Sequence, residues 1–259
     1  MDLTLEQKKN RLFVILSGIF ITNALLAEII GVKIFSAEST VGMQPAQLDI
    51  LGFVMDFNLT AGALIWPVVF ITTDLFNEYF GKPGVKRISY LTALLILYAF
   101  MVIFMAIELP PAGWWAQLRG EDGNIFNMDL AFNRILGQGL RIIVGSLTAF
   151  LIGQLVDVFV FQKLRRATGN KRLWLRATGS TLVSQLVDSF VVLFIAFYGI
   201  FSNDQIIAIG ITNYIYKFSV AILLTPVVYL GHYIIDNYLG KENAAQLSEQ
   251  AAHQSQGFL

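Results

Sequence analysis

The peptide Gln-Leu-Val-Asp occurs at 154–157 and again at 185–188, 31 residues later, inside the apolar runs GQLVDVFVF and SQLVDSFVV. On a helix the amide and acid of each copy stand three residues apart and share a face. Other apolar segments repeat the device. TTDLFNEYFG sets Asp74 and Glu78 four apart, with Thr73 and Asn77 adjoining, and TNYIYKF sets Asn213 and Lys217 four apart. A charge at a lipid-facing helix centre costs at least ~2.5–3.5 kcal/mol, so these side chains must face one another or an interior cavity. Five acids in such segments (Glu28, Asp74, Glu78, Asp157, Asp188) nearly cancel four bases (Lys33, Arg141, Arg176, Lys217). A paired internal network and a pocket for a polar ligand are both consistent with that balance. Bland readings stand beside the chemical ones. Glu78, ahead of Gly81-Lys82, reads equally as an interfacial residue, Glu28 and Lys33 as an outer-end pair or snorkelling groups, and Arg176 as an inner-end anchor. For Asp74, Asp157, Asp188 and Lys217 the bland alternative is helix–helix ion pairing. Among the aromatics, Trp66, Phe70, Tyr214 and Tyr216 are the stacking candidates, and Pro67 and Pro226 mark kinks that free backbone carbonyls.

Other chemistries lack their residues. The chain has 259 residues and no cysteine, which excludes disulfides, thiolate metal sites and cysteine catalysis. Two histidines, His232 and His253, make a zinc site a poor reading, and no metal or cofactor is expected. No G-x-x-x-x-G-K-[ST], H-E-x-x-H or G-x-S-x-G occurs, and GKPGVKR at 81–87 is a basic turn rather than a phosphate cradle. The chain is therefore not expected to be an enzyme; an intramembrane enzyme using two aspartates is the weakest alternative. Zero net charge argues against a nucleic-acid partner.

The elements that must hold these residues are membrane helices. The chain is 56% hydrophobic and 14% charged, with mean hydropathy +0.63, whereas soluble domains carry about 25% charged residues. Stretches of roughly 20 apolar residues predict an all-α integral membrane protein with six transmembrane helices, at 12–35, 60–80, 88–109, 133–162, 173–200 and 206–233. Residues 1–11 form a short N-terminal segment, 12–235 a single transmembrane domain, and 236–259 a polar tail, disordered or loosely helical. Between the first two helices, LDILGFVMDFNL predicts a short extracytoplasmic hairpin or re-entrant element, and the loop 110–124 carries Trp114 and Trp115 suited to the lipid–water interface. One set of connections collects Lys8, Lys9, Arg11, Lys82, Lys86, Arg87, Lys163, Arg165, Arg166, Lys171, Arg172 and Lys241. The other has only Arg119, in a loop with Glu108, Glu121 and Asp122. Both termini are thus expected in the cytoplasm.

The segments AGALIWPVVFITTDLFNEYFG, GSLTAFLIGQLVDVFVFQKLR, STLVSQLVDSFVVLFIAFYG and NYIYKFSVAILLTPVVY follow one another in the chain. Together they resemble the signature blocks of the queuosine-precursor transporter family, formerly labelled vitamin uptake transporters, over roughly 12–235. The resemblance implies a six-helix inner-membrane importer of 7-cyano-7-deazaguanine, 7-aminomethyl-7-deazaguanine or a related 7-deazapurine used to make queuosine in tRNA. Asn23, Pro67, Asp74, Gln154, Asp157, Asp188 and Lys217 match the family's positions, and Arg141 and Gln185 also fit. Glu28 and Lys33 are not tied to the family pattern. A deazaguanine presents a ring N–H beside a 2-amino group, an edge that one carboxylate accepts through two charge-assisted bonds. Its carbonyl takes a donor from Gln, Asn or Lys, and its plane takes an aromatic face. The expected substrate site is Asn23, Trp66, Phe70, Asp74, Gln154, Asp157, Gln185, Asp188, Tyr214 and Lys217, with Glu78 and Arg141 as gate or charge-network residues. Asp188 or Asp157 would accept the base's edge. The alternative function is a substrate-binding membrane subunit for a vitamin or nucleobase that needs an ATPase partner. Dimerisation is left open.

Overall fold

The computed structural model describes residues 3–119, 125–137, 139–168 and 172–255. Glu121, Asp122 and Lys171, used above for orientation, lie outside the described residues. Long helices dominate. They are α1 (Leu5–Ile30), α3 (Trp66–Tyr79), α4 (Gly81–Ile107), α7 (Leu140–Thr168), α8 (Leu173–Phe197), α9 (Asn203–Leu223), α10 (Thr225–Leu239) and α11 (Lys241–Gln254), with short turns α2 (Ala37–Thr40), α5 (Gly113–Ala116) and α6 (Met128–Leu136) between them. Short antiparallel ribbons join them: β1 (Ile34–Ser36) with β4 (Asn58–Thr60), β2 (Leu48–Ile50) with β3 (Phe53–Met55), and β5 (Gln117–Arg119) with β6 (Ile125–Asn127). The β2–β3 hairpin turns through Leu51 and Gly52, at φ 54° and 80°. Two positive φ values in a two-residue loop match the right-handed twist of the strands.

Among the described residues, five stretches are long and apolar enough to cross a membrane: Leu5–Ile30, Gly81–Ile107, Met128–Thr168, Leu173–Phe197 and Asn203–Leu223. The second expected span is not among them. Its helix, α3, has 14 residues, about 21 Å at ~1.5 Å per residue, short of a hydrocarbon core of ≈ 30 Å. It opens at Trp66-Pro67 after a 3-10 turn over Ala61–Leu64. Proline in a first helical turn loses no hydrogen bond and its fixed φ suits the helix, so Pro67 starts a helix here rather than kinking one. The sixth expected span divides in the same way, with α9 ending at Leu223 and α10 beginning at Thr225-Pro226.

The apolar core lies where α1, α3, α4 and α7 meet. Leu16, Phe20, Val69, Phe76, Ile88, Ile96 and Phe150 are all buried in it, and Phe76 meets Phe13 and Phe20 edge-on at 5.4 and 6.2 Å between ring centres. Helices α7 and α8 pack along their lengths with glycine at the contact. A methyl group at Gly145 would lie 3.2 Å from the Val192 carbonyl oxygen, and one at Gly153 would lie 3.6 Å from Cβ of Asp188. Small residues let backbones approach in this way where no hydrophobic force drives helices together.

Of the two alternatives for the tail, disordered or loosely helical, the structure has the helical one, and it is docked on the bundle. α11 is helical to Gln254, with Ala244, Leu247, Ser248 and Ala251 buried against the bundle. Its last turn is tied down where the Lys82 amide donates to Ser255 Oγ at 3.0 Å. The 235/236 boundary falls inside α10.

Candidate functional site

The two Gln-Leu-Val-Asp copies lie on α7 and α8, and the missing side chain of Gly153 lets Asp188 of α8 sit directly against α7. Asp157 gathers three helices. Its carboxylate accepts from Asn77 Nδ2 of α3 at 2.9 Å and from Ser184 Oγ of α8 at 3.3 Å. Gln154, one turn earlier, accepts at Oε1 from Thr73 Oγ1 of α3 at 3.3 Å and Ser89 Oγ of α4 at 3.5 Å. With its oxygen so occupied, the Gln154 amide nitrogen is the end left to donate. Asp188 is held by Lys217 of α9, Nζ to Oδ2 2.7 Å, and both side chains keep about a fifth of their surface open, 23% and 22%. Gln185 is 4% exposed, and its Oε1 has no hydrogen-bond partner among the described residues.

These groups border space. Trp66, Phe70, Gln154, Asp157, Gln185 and Asp188 line a pocket of about 20 Å³, room for about one water. Trp66, Phe70 and Asp188 also line a neighbouring cavity of about 630 Å³, whose wall adds Asp74, Asn213, Tyr216 and Lys217. That volume falls within the ≈ 300–1,000 Å³ usual for small-molecule sites. The Trp66 and Phe70 rings stack, 5.9 Å between centres and 16° between planes, presenting a flat apolar wall. Asp74 is 3% exposed, and its Oδ1 has no partner among the described residues. Both helix breaks reach this cavity, through Trp66 and Pro67 at the start of α3 and Leu224 between α9 and α10.

Trp66, Phe70, Asp74, Gln154, Asp157, Gln185, Asp188 and Lys217 thus line two spaces that share Trp66, Phe70 and Asp188. Asn23, Tyr214 and Arg141 are not in their lining. Asn23 donates to Ile19 of its own helix at 2.8 Å, Tyr214 to the Leu182 carbonyl at 3.2 Å, and Arg141 to the Tyr198 carbonyl at 2.9 Å. Glu78, one turn beyond Asp74, belongs to a separate charged knot. It accepts from Arg176 Nε at 3.1 Å and Nη2 at 2.9 Å, from Ser248 Oγ of α11 at 2.8 Å, and pairs with Arg165 Nη2 at 3.4 Å. Arg176, read as an inner-end anchor, and Arg165, counted among the positive connections, are instead buried at 3% and 4% exposure. They turn inward because Glu78 and Ser248 offer them charge-assisted partners. Glu28, read as an outer-end group, accepts from Ser146 Oγ at 2.6 Å and lines the cavity. Of the residues that complete the site, Thr73 and Asn77 were visible beside Asp74 by helical spacing. Ser89 and Ser184 carried no signal apart from small size within apolar helices.

A protein-family model described as "Putative vitamin uptake transporter" matches residues 60–231. The chain is 33% identical over 195 residues to a "Probable queuosine precursor transporter" of Bacillus subtilis (strain 168), covering 74% of this chain and 80% of that protein. It is 31% identical over 176 residues to the "Queuosine precursor transporter" of Escherichia coli (strain K12), covering 66% and 71%. It is 30% identical over 188 residues to a "Probable queuosine precursor transporter" of Haemophilus influenzae, covering 69% and 71%. No solved structure matches the chain. The three relatives are named as transporters, not as enzymes.

Proposed function

The chain belongs to the queuosine precursor transporter family, and from that premise we propose that it imports a 7-deazaguanine precursor across the inner membrane. The substrate class is 7-cyano-7-deazaguanine, 7-aminomethyl-7-deazaguanine or a close relative, bound as the free base between α3, α7, α8 and α9. The observation that carries this reading is the Asp188–Lys217 pair, about a fifth open on the wall of the cavity of about 630 Å³ beside the stacked Trp66 and Phe70 rings. A part-open carboxylate beside an apolar wall suits a ligand with paired N–H donors, which it accepts through charge-assisted bonds.

In this arrangement Asp188 and Gln185 accept from the ring N–H and 2-amino group, Gln154 donates to the carbonyl through its amide nitrogen, and Trp66 and Phe70 cover the ring. Asp188 suits the role better than Asp157, because both Asp157 oxygens already accept from protein donors. Lys217 neutralises Asp188 between transport events. Asp74 borders the base, and Glu78 with its two arginines closes the end of the pathway beneath it. Asn23, Tyr214 and Arg141 support the helices around the pocket. Six crossings complete the topology, with the short α3 and the broken α9–α10 supplying the discontinuous helices that line transporter sites. With Arg165 removed from the earlier tally of twelve, eleven basic residues remain on one side against Lys33, Arg119 and Arg134 on the other, which supports cytoplasmic termini.

The test is uptake of labelled 7-cyano-7-deazaguanine by cells that lack their own carrier and express this chain alone. Import is expected, with Asp188→Asn sharply reduced at matched expression. Parent-level uptake by Asp188→Asn would sink the pocket assignment. Binding without uptake would favour a capture subunit that needs an ATPase partner.

A further inference from the structure

Among the described residues, Asp74 of the cavity wall has no base paired with it. Among the described residues, Glu78 takes both Arg165 and Arg176, and Asp188 takes Lys217. Asp157 is held by neutral donors alone, Asn77 and Ser184. Asp74 makes neither an ion pair nor a hydrogen bond there, is 3% exposed, and borders a cavity of about 630 Å³. An ionised carboxylate in such a place carries a desolvation penalty of several kcal/mol that nothing offsets, and such a group neutralises instead by taking a proton. We propose that Asp74 is a proton-binding site and that import is coupled to inward movement of the proton it carries. The inference rests on the import reading above and adds its driving force.

The titratable and polar groups on the elements packed against α3 fit a carrier rather than a fixed charge at Asp74. On its own helix stands Glu78, committed to its arginines. α1 contributes Glu28, which accepts from Ser146. α4 contributes Lys82 and Arg87, the latter over the Phe13 ring at 5.5 Å. α7 contributes Asp157 and Arg165. α10 contributes His232 and Asp236, both bound to the Tyr79 hydroxyl, at 2.9 and 2.7 Å. α11 contributes the Ser248 hydroxyl. Arg134 of α6 lines the cavity from an exposed position and makes no ion pair with Asp74. Asp157 is the near acid, and two carboxylates that share a buried site cannot both ionise cheaply. In the cycle, a proton from external water forms an O–H bond with an Asp74 oxygen, and the neutral acid persists while the site is closed. The bond breaks when the site opens to cytoplasmic water. No electrons change hands.

The experiment uses the full chain in proteoliposomes with labelled 7-cyano-7-deazaguanine. Counterflow exchange at equal pH on both sides tests the import reading by itself. An acid-outside gradient of one pH unit then tests coupling. One proton per substrate supports accumulation of up to about tenfold, and a protonophore should collapse it to none. In Asp74→Asn the ratio of gradient-driven uptake to exchange should fall to the value without a gradient. The infrared carbonyl stretch of a protonated carboxylic acid, present in the purified parent at neutral pH, should weaken as well; this second readout holds even if the variant does not transport. Exchange with no response to the gradient overturns coupling while leaving import intact. Gradient-driven accumulation or an unchanged protonated-acid band in Asp74→Asn overturns the site. Absence of exchange in the parent overturns the import reading, and coupling with it.

Discussion

Replacing Arg176 by methionine tests whether the knot around Glu78 holds the helices together or merely sits among them. Arg176 is 3% exposed and grips Glu78 through Nε at 3.1 Å and Nη2 at 2.9 Å. Each hydrogen bond to a charged group contributes about 1.5–3 kcal/mol, so losing both removes about 3–6 kcal/mol. Glu78 keeps Ser248 at 2.8 Å and Arg165 at 3.4 Å, which draws the loss toward the lower end of the ~3–5 kcal/mol seen when a buried pair is broken. The expected cost is about 3 kcal/mol. Thr178→Val supplies the control, since it removes only a neutral bond between α8 and Thr225 at 2.9 Å. Such interhelical bonds in membranes average about 0.6 kcal/mol. Denaturant titration of the purified variants in mixed micelles measures both. If Arg176→Met lies within about 1 kcal/mol of the parent, or matches Thr178→Val, the charged knot is not a structural tie.

Other expectations follow from single contacts. Ser248→Ala removes the hydroxyl that binds both Glu78 and Arg165 and should cost about 1–3 kcal/mol, with earlier proteolysis at α11 as the first sign. Gly62→Ala would drive a methyl group into the Ala27 carbonyl of α1. It should destabilise by about 1–3 kcal/mol, whereas Gly153→Ala, meeting Asp188 Cβ at an ordinary 3.6 Å, should be far milder in the same titration. Glu38, in the loop after α1, accepts from the Phe57 amide at 2.7 Å, the Ala46 amide at 3.4 Å and Ser36 Oγ at 3.1 Å. The Phe57 amide above all holds its carboxyl below the usual 4.5, against the opposing effect of burial. A depressed folded value stabilises the loop above the unfolded value and loses that contribution as pH falls through the folded one. Hydrogen exchange across 34–60 should therefore accelerate on acidification below about pH 4.5 in the parent, and Glu38→Gln should flatten that dependence.

The polar half of the site was legible because amphipathic spacing survives inside a membrane segment. Gln154, Asp157, Gln185 and Asp188 announce themselves by cost and period, and Lys217 by being a base with nowhere apolar to go. Hydropathy could not reveal where a helix breaks. An apolar window reads through Trp66-Pro67 and Thr225-Pro226 alike, yet each proline begins a new helix, so one continuous span became a 14-residue helix and another became α9 and α10. Counting Lys and Arg along connections cannot tell a lipid headgroup from a buried partner, so Arg165 counts as a connection residue and Arg176 as an inner-end anchor, while their acceptors lie on α3 and α11. The docking of α11 did leave a trace. Ala244, Leu247, Ser248 and Ala251 follow the period of one helix face, a stripe that the charged residues around it obscured. Asn23 and Tyr214 looked equivalent to the cavity residues by type; the choice of a backbone partner over the cavity depends on tertiary neighbours that no local pattern encodes.

The central claim is that the base is held between α3, α7, α8 and α9 with Gln185 as one of its acceptors, and one comparison tests it most directly. Affinity for 7-cyano-7-deazaguanine and thermal stability without ligand are measured for the purified parent and Gln185→Leu. Replacing an unsatisfied buried polar group by an apolar one of similar size should leave the empty protein as stable as the parent or more so. Affinity should fall about tenfold or more, the equivalent of one hydrogen bond of about 1.4 kcal/mol, and adenine, which lacks the ring N–H beside its amino group, should bind neither form. Equal affinity in both proteins, or a variant that loses stability while binding normally, would contradict the account.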